Sequence, residues 1–107
     1  MADRIRDLSS FNPGGAHMQV SVIAPPTEQW PLPWYLRTMP NVGYWTAPDD
    51  AAALEAPVIV SAIEHKPVLD HELGDRYVME WFGLRPNVFL ALYIERHLWE
   101  RFLSHTP

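Results

Sequence analysis

The sequence contains no cysteine, and this absence removes a large part of the chemistry available to a protein. Without a thiol there is no disulfide, no cysteine nucleophile and no zinc–thiolate centre. Lysine is scarce too, because Lys66 is the only one and the arginines are scattered. Thirteen acidic residues against eight basic ones give a formal charge of −5, which repels phosphate backbones and anionic lipid headgroups. The charge pattern therefore argues against nucleic acid as a partner.

Long apolar runs and the common catalytic motifs are also missing. The apolar stretches fall far short of the roughly 20 residues that span a bilayer, and residues 1–8 do not resemble a signal peptide. There is no Gly-x-Ser-x-Gly, Gly-x-Gly-x-x-Gly or Walker sequence. Pro25 and Pro26 lack the amide donors that a phosphate loop would need after the first predicted strand. We therefore expect a soluble piece of a larger protein, with no enzymatic activity, cofactor or metal of its own.

What the sequence does contain is enough apolar material for one domain. Its 107 residues are 48% hydrophobic and 20% charged, as in ordinary globular proteins. Ile5 and Leu8 lie three apart among charged residues, which predicts a short amphipathic helix. The Asn12–Gly15 stretch then breaks the chain. We expect an N-terminal helix and linker over 1–15 and a single α/β domain over 16–107.

Five segments of the domain have the pattern of strands. Alternation predicts the first strand, a continuous apolar run predicts a central strand buried on both faces, and two later runs flank a turn that suits an antiparallel hairpin. A terminal helix begins near His97, although helical spacing also allows one helix over residues 88–104. The expected strands are Met18–Ala24, Val42–Trp45, Val58–Ala62, Tyr77–Phe82 and Val88–Ile94.

Segments with helical or loop character separate these strands. Thr27 is expected to begin a helix that continues to Pro40, and Ala51–Glu55 predicts one or two helical turns. Residues 67–74 are expected to be a polar connection with one helical turn. This order predicts a two-layer or three-layer α/β sandwich: a Rossmann-like half fold whose mixed sheet of about five strands ends in an antiparallel hairpin and a C-terminal helix. Ligands of such a sheet favour the carboxyl ends of its strands.

Titratable side chains are densest directly after the predicted central strand. Glu64, His65, Asp70 and His71 are chemically able to hold a metal or to act as acid and base. Their spacing matches no zinc pattern, so a solvated loop is the main interpretation. A small hydrolase or metal-binding enzyme is the competing one, and it requires all four side chains to converge. Ser61 lies in an apolar run and is expected in the core.

The segment from Trp30 to Trp45 is the most distinctive part of the chain. Prolines there fix the backbone beside large aromatic rings, as in a docking surface or a tight corner. We expect Trp34 and Trp45 to fill the core, whereas Trp30 is the better candidate for exposure. Such rings also stack on sugars or lie at membrane interfaces. Arg37 and Arg85 are candidates to bind a carboxylate or phosphate with two hydrogen bonds, or to pair with an acidic residue.

These motifs resemble a known family. Most of residues 18–99 is similar to the soluble C-terminal region of polytopic GT-C class glycosyltransferase-like membrane proteins, which resemble dolichyl-phosphate-mannose protein mannosyltransferases and include the flippase-activity-associated proteins. The longest similar run is Trp30-Pro31-Leu32-Pro33-Trp34-Tyr35-Leu36-Arg37, followed by Val42-Gly43-Tyr44-Trp45, Gly83-Leu84-Arg85-Pro86-Asn87-Val88-Phe89-Leu90, Leu92-Tyr93-Ile94 and Leu98-Trp99.

The resemblance implies a non-catalytic, extracytoplasmic accessory domain of a membrane protein, since the family's catalytic acid lies in its membrane portion. It makes Trp30, Trp34, Tyr35, Arg37 and Arg85 the expected binding residues for a lipid-linked sugar or its acceptor. The alternative is a structural or interaction module that docks on its own transmembrane part or forms a homodimer.

Overall fold

The computed structural model describes residues 5, 7, 8, 18–25, 34, 36, 37, 39, 41–46, 53–85 and 88–104, the side chains of Phe82, Leu84, Arg85 and Val88 excepted. These residues form a small α/β fold around one five-stranded mixed sheet, as the sequence predicts. The order across the sheet is β2-β1-β3-β5-β4. The strands are β1 (Val20–Ile23), β2 (Val42–Trp45), β3 (Val58–Ala62), β4 (Tyr77–Arg85) and β5 (Val88–Glu95).

Strand directions place most of the carboxyl ends at one edge of the sheet. β1 pairs parallel with both β2 and β3. β5 is antiparallel to β3 and to β4, so β4 runs in the same direction as β3. We call the edge that contains Ile23, Trp45, Ala62 and Arg85 the carboxyl edge. The predicted antiparallel hairpin is therefore confirmed, with strands that reach to within two residues of each other.

Both faces of the sheet are buried by alternating side chains. On face A, Val22, Val60 and Leu92 pack in one core with Ile5 and Leu8, whose backbone is helical. Face B has a separate core, formed by Ile23, Ile59, Ala91 and Tyr93 with Leu69 and Leu73. Every residue of β3 is buried, as its continuous apolar run predicts. With cover on both faces, the three-layer arrangement is the one that the chain adopts.

The segment after β3 differs from its sequence-based prediction. Residues 67–74 were expected to contain one helical turn, whereas α1 covers Lys66–Leu73, eight residues. Pro67 lies in its first turn, where no amide donor is needed, and Gly74 follows it with a φ of 54°. Leu69 and Leu73, four apart, are both buried against face B. Burial of these two leucines is sufficient to hold a largely polar helix against the sheet.

The C-terminal helix, α2, covers Arg96–Ser104 and follows β5 directly. Of the two alternatives for residues 88–104, strand then helix is correct. Leu98 is buried in the core of face A, and the rings of Trp99 and Phe102 stack with centroids 5.6 Å apart beside it. The fold thus confirms the predicted C-terminal helix.

Ser61 in β3 is also buried as expected, and its hydroxyl donates to the carbonyl of Ala62 at 2.8 Å.

Gly43 is required by the close approach of Trp45 on the same strand. A β-carbon at Gly43 would overlap the six-membered ring of Trp45, which folds back over β2 and packs partly against the core of face B. We expect Gly43→Ala to displace that ring and to lower the free energy of unfolding by about 1 kcal/mol. Chemical denaturation followed by tryptophan fluorescence measures both effects. Gly83→Ala is the matched control, because its β-carbon meets Phe89 at an ordinary 3.6 Å.

Candidate functional site

Trp34 lies at the surface, and its predicted place in the core is wrong. Its side chain is 55% exposed, whereas Leu36 and Met39 in the same connection are buried. Those two side chains, and not the indole, fill the core of face A beneath the β1–β2 connection. Trp45 is half-buried against the core of face B, closer to its expected environment. The large ring of Trp34 is therefore available for a ligand.

Arg37 covers part of this exposed ring. Its guanidinium carbon lies 3.9 Å from the Trp34 ring centroid, a cation–π arrangement. The Nη1 group also donates a 2.8 Å hydrogen bond to the Trp34 carbonyl, and the Arg37 backbone amide donates to the same oxygen at 3.4 Å. A guanidinium held at two points has few rotamers left to lose on binding. We call these two residues the Trp34–Arg37 pair.

The pair is held in place by the chain around it. Leu36 lies between its two members and is 2% exposed, and Met39 follows at 6%. The amide of Met39 donates to the carbonyl of Leu36 at 2.9 Å, which closes a turn that contains Arg37. Because the buried side chains fix this turn, the exposed ones have a defined orientation.

The other expected binding residues are placed less completely. Trp30 and Tyr35 lie outside the described residues. Arg85 is the last residue of β4, in register with Val88, and so its backbone lies at the carboxyl edge, while its side chain is outside the described part. Parallel strands bring Ala24 and Thr46 to the same edge, where the amide of Ala24 donates to the carbonyl of Trp45 at 2.9 Å.

The histidine and carboxylate cluster after β3 is divided among separate structural contacts. The Nε2 atom of His65 lies 3.1 Å from the carbonyl oxygen of Thr46, which links the ends of β3 and β2. Asp70 accepts a hydrogen bond from Lys66 at 2.6 Å and another from the hydroxyl of Tyr93 at 2.8 Å. Among the described residues no three His, Asp or Glu side chains are grouped as metal ligands would be. The competing interpretation requires Glu64, His65, Asp70 and His71 to converge, and in this part of the chain they do not form a metal-ligand group.

The contacts of Asp70 shift two pKa values in opposite directions. The hydrogen bond from Lys66 lowers the pKa of the Asp70 carboxyl, and the bond from Tyr93 acts in the same sense. For Tyr93, burial raises the pKa of the phenol, and the neighbouring carboxylate raises it further. Lys66 also lies 5.7 Å from the ring centroid of Trp81. This group ties α1 to β5 and β4, and none of it was predicted from the sequence.

A second feature missed by sequence reasoning is an open cleft of about 550 Å³. It lies at the end of the sheet opposite the carboxyl edge, next to the start of β4 and the end of β5. Arg76 donates to the carbonyls of Leu73 and Glu72, and Arg96 donates to that of Asp75 at 2.7 Å. The charged side chains come from three separate stretches of the sequence, at residues 55, 75–76 and 95–96, so no local motif signals the cleft. Its lining includes Glu55, Asp75, Arg76, Tyr77, Glu95 and Arg96.

Comparison of the chain with protein-family models, curated proteins and solved structures gives no match in any of the three. Within the described residues, no helix has the length and apolar character needed to cross a membrane. The features of this chain that bear on its function are its sequence motifs and the geometry of the Trp34–Arg37 pair.

Proposed function

We propose that this chain is a non-catalytic, extracytoplasmic accessory domain of a membrane glycosyltransferase-like protein, and that it positions a lipid-linked sugar or the acceptor. The observation that supports the proposal is the Trp34–Arg37 pair, because both side chains are exposed and the arginine is stacked and hydrogen-bonded. These residues belong to the segment that resembles the membrane glycosyltransferase family. Association with the membrane would come from the parent protein.

The chemistry of the pair suits a phosphorylated sugar. An exposed indole offers an apolar face against which a sugar ring can stack. In the described part of the chain Arg37 uses only Nη1 for a side-chain hydrogen bond, and its Nε and Nη2 donors remain for a phosphate. A lipid-linked sugar presents a ring and a phosphate next to each other, and so it can contact both residues. The proposed ligand class follows from that match.

A non-catalytic role fits how the candidate acid–base residues are used. Asp70 is occupied by Lys66 and Tyr93, and His65 contacts a backbone carbonyl across strand ends. These contacts stabilise the layers of the fold, and a reacting group would need those same atoms. We therefore place chemistry in the membrane portion of the parent protein and recognition in this domain.

Binding of a water-soluble, short-chain polyprenyl-phosphate mannose, measured by calorimetry, tests this function. We expect Trp34→Ala to weaken binding at least tenfold, which is about 1.4 kcal/mol. Arg37→Lys is expected to weaken binding of the phosphorylated sugar and to leave the weaker binding of methyl mannoside unchanged, because lysine keeps the charge but loses the planar donor pair. The polyprenyl-phosphate glucose analogue reports on sugar selectivity.

Trp81→Ala is the matched control, since Trp81 is 52% exposed and lies on a different element. It should bind as the parent does. Trp34→Ala should also change the free energy of unfolding by less than about 1 kcal/mol, because the ring is outside the core. If the parent binds no phosphorylated sugar, or if Trp34→Ala binds as well as the parent, the proposed function is wrong.

A further inference from the structure

One of the two edge strands of the sheet, the strands with a neighbour on one side alone, is unusually long. β4 contains nine residues, Tyr77–Arg85, and lies at the end of the order β2-β1-β3-β5-β4. Among the described strands it pairs with β5 alone. An edge strand presents a row of backbone donors and acceptors to which another strand can add. β2, the edge strand on the other side of the sheet, has only four residues.

β4 has few of the features that protect exposed edges. Natural edge strands are blunted by proline, by lysine or by bulges. The sequence Tyr77–Arg85 contains neither proline nor lysine, and its only acidic residue is Glu80. Its register with β5 is uninterrupted from Tyr77 to Gly83, and the irregularity falls between Gly83 and Arg85. Most of the strand is therefore regular enough to pair.

Exposed apolar side chains lie along the same edge. Trp81 is 52% exposed at the middle of β4, and Phe89 is 56% exposed on β5. The register places Trp81 opposite Ala91 and Phe89 opposite Gly83, so both rings are on face B. A cluster of this kind beside an open edge is typical of an interaction surface.

We propose that a second copy of this chain pairs with β4, antiparallel and two-fold symmetric, so that two five-stranded sheets form one continuous sheet of ten strands. An antiparallel strand pair is self-complementary, as a two-fold interface must be. With the axis at Trp81, the middle residue of β4, the two strands lie alongside each other, and residues 79–83 of each copy, all in the regular part of the strand, pair with each other. Met79 of one copy then lies opposite Gly83 of the other.

The charge of Glu80 favours a two-fold axis at Trp81 over an axis one residue earlier, at Glu80. An axis at Glu80 would place two carboxylates directly opposite each other, which is destabilising in a strand pair. An axis at Trp81 instead places two indoles side by side on face B, and cross-strand aromatic pairs are favourable. Lys66, 5.7 Å from the Trp81 ring centroid, adds a cation beside each ring. The register thus follows from the side chains of β4.

The size of the β4–β4 interface indicates how tightly the two copies should bind. The nine residues of β4, at about 3.4 Å each, make the exposed edge roughly 30 Å long. One strand and one exposed ring per copy make a small interface, below the roughly 1,200 Å² of specific, stable complexes. We therefore expect dissociation constants in the micromolar range, with monomer and dimer in measurable exchange.

Sedimentation velocity of the full chain, over concentrations on the order of 5 to 500 μM, tests the dimer because this range brackets a micromolar constant. The mass should rise from 12.3 kDa towards twice that value. Trp81→Glu should weaken dimerisation at least tenfold, since the indole pair is lost and two carboxylates meet at the axis. Trp34→Glu is the matched control, as it also replaces an exposed tryptophan that lies beside a cation, here Arg37.

The control should dimerise as the parent does, and circular dichroism should show both variants folded. A parent that stays monomeric at every concentration would overturn the proposal, whether or not the domain binds a sugar. So would equal loss of the dimer in Trp34→Glu, because the interface would then not be β4.

The register has its own test, since the chain has no cysteine of its own. Met79→Cys and Gly83→Cys, mixed and oxidised, should give a crosslinked dimer, and each variant alone should not. A cysteine at Gly83 is accommodated, because the nearest atom to its β-carbon is 3.6 Å away. A dimer by mass without this mixed crosslink would show that the copies pair in another way.

Discussion

Replacing Leu92 with alanine lowers the free energy of unfolding by about 2 to 5 kcal/mol, the largest loss that we expect from one substitution. Leu92 has no exposed surface and lies in β5, opposite Val60 on one side and Glu80 on the other. Neighbouring strands fix the backbone on both sides, so the core cannot collapse into the cavity. Because a domain of this size is stable by only about 5 to 15 kcal/mol, the loss is a large fraction of the total.

Urea denaturation followed by circular dichroism measures this loss, provided that the slope with denaturant is unchanged. Leu103→Ala is the matched control: it is the same substitution at a side chain on α2 that is 48% exposed. We expect it to cost less than about 0.5 kcal/mol. A loss below about 1 kcal/mol for Leu92→Ala would contradict the buried position of Leu92 in the core of face A.

The strands were predictable because their patterns are local. Five consecutive apolar or small residues in Val58–Ala62 indicate burial on both faces, and the structure confirms it. The hairpin was predicted from a turn sequence, although β4 extends to Arg85, beyond its predicted end at Phe82, and β5 extends to Glu95, beyond Ile94. Cross-strand hydrogen bonds can extend a strand past its apolar residues, which a sequence pattern does not show.

The length of α1 was underestimated because a helix on a sheet needs only a narrow apolar strip. Leu69 and Leu73 are its only buried residues, and the rest of Lys66–Leu73 is largely polar. One pair of leucines four apart is a weak periodic signal in so short a segment. Tertiary contact with face B, and not periodicity, determines the two turns.

The candidate site was predicted as a segment but not as a geometry. The sequence indicates that Trp34 and Arg37 are notable, yet it does not show which side chains of a turn face the core. Leu36 and Met39 fill the core of face A more easily than a bulky indole does, and the Trp34 side chain is therefore left at the surface. The exposed edge of β4 was likewise unpredictable, because strand order is a property of the whole sheet.

Raising the pH above 10 is expected to destabilise the fold through two buried tyrosines. Burial raises the pKa of Tyr77 from 10.0 to about 12, with a further contribution from the charge of Glu95. Its hydroxyl donates to the carbonyl of Ala56 at 2.6 Å, in the neutral form that burial favours. The pKa of Tyr93 is raised for the same reason, and by its bond to Asp70.

The direction of the pH effect follows from proton binding. An unfolded tyrosine loses its proton near pH 10, whereas native Tyr77 keeps its proton until about pH 12. In that window the unfolded state binds fewer protons than the native state, so stability falls as the pH rises. Below pH 10 the contribution is fully present. Urea denaturation at pH 8, 10 and 11 measures this decline, and tyrosinate absorbance shows which state has ionised.

Tyr77→Phe separates this hydroxyl from other alkaline effects. At pH 8 the variant should be less stable by about 1 to 3 kcal/mol, because the buried Ala56 carbonyl loses its donor. Between pH 10 and 12 it should lose stability less steeply than the parent, since one raised pKa is gone. Tyr44→Phe, at a side chain that is 39% exposed, should leave the stability at pH 8 unchanged. Parallel pH slopes for parent and Tyr77→Phe would show that Tyr77 ionises alike in both states, and that its hydroxyl is not buried in the neutral form.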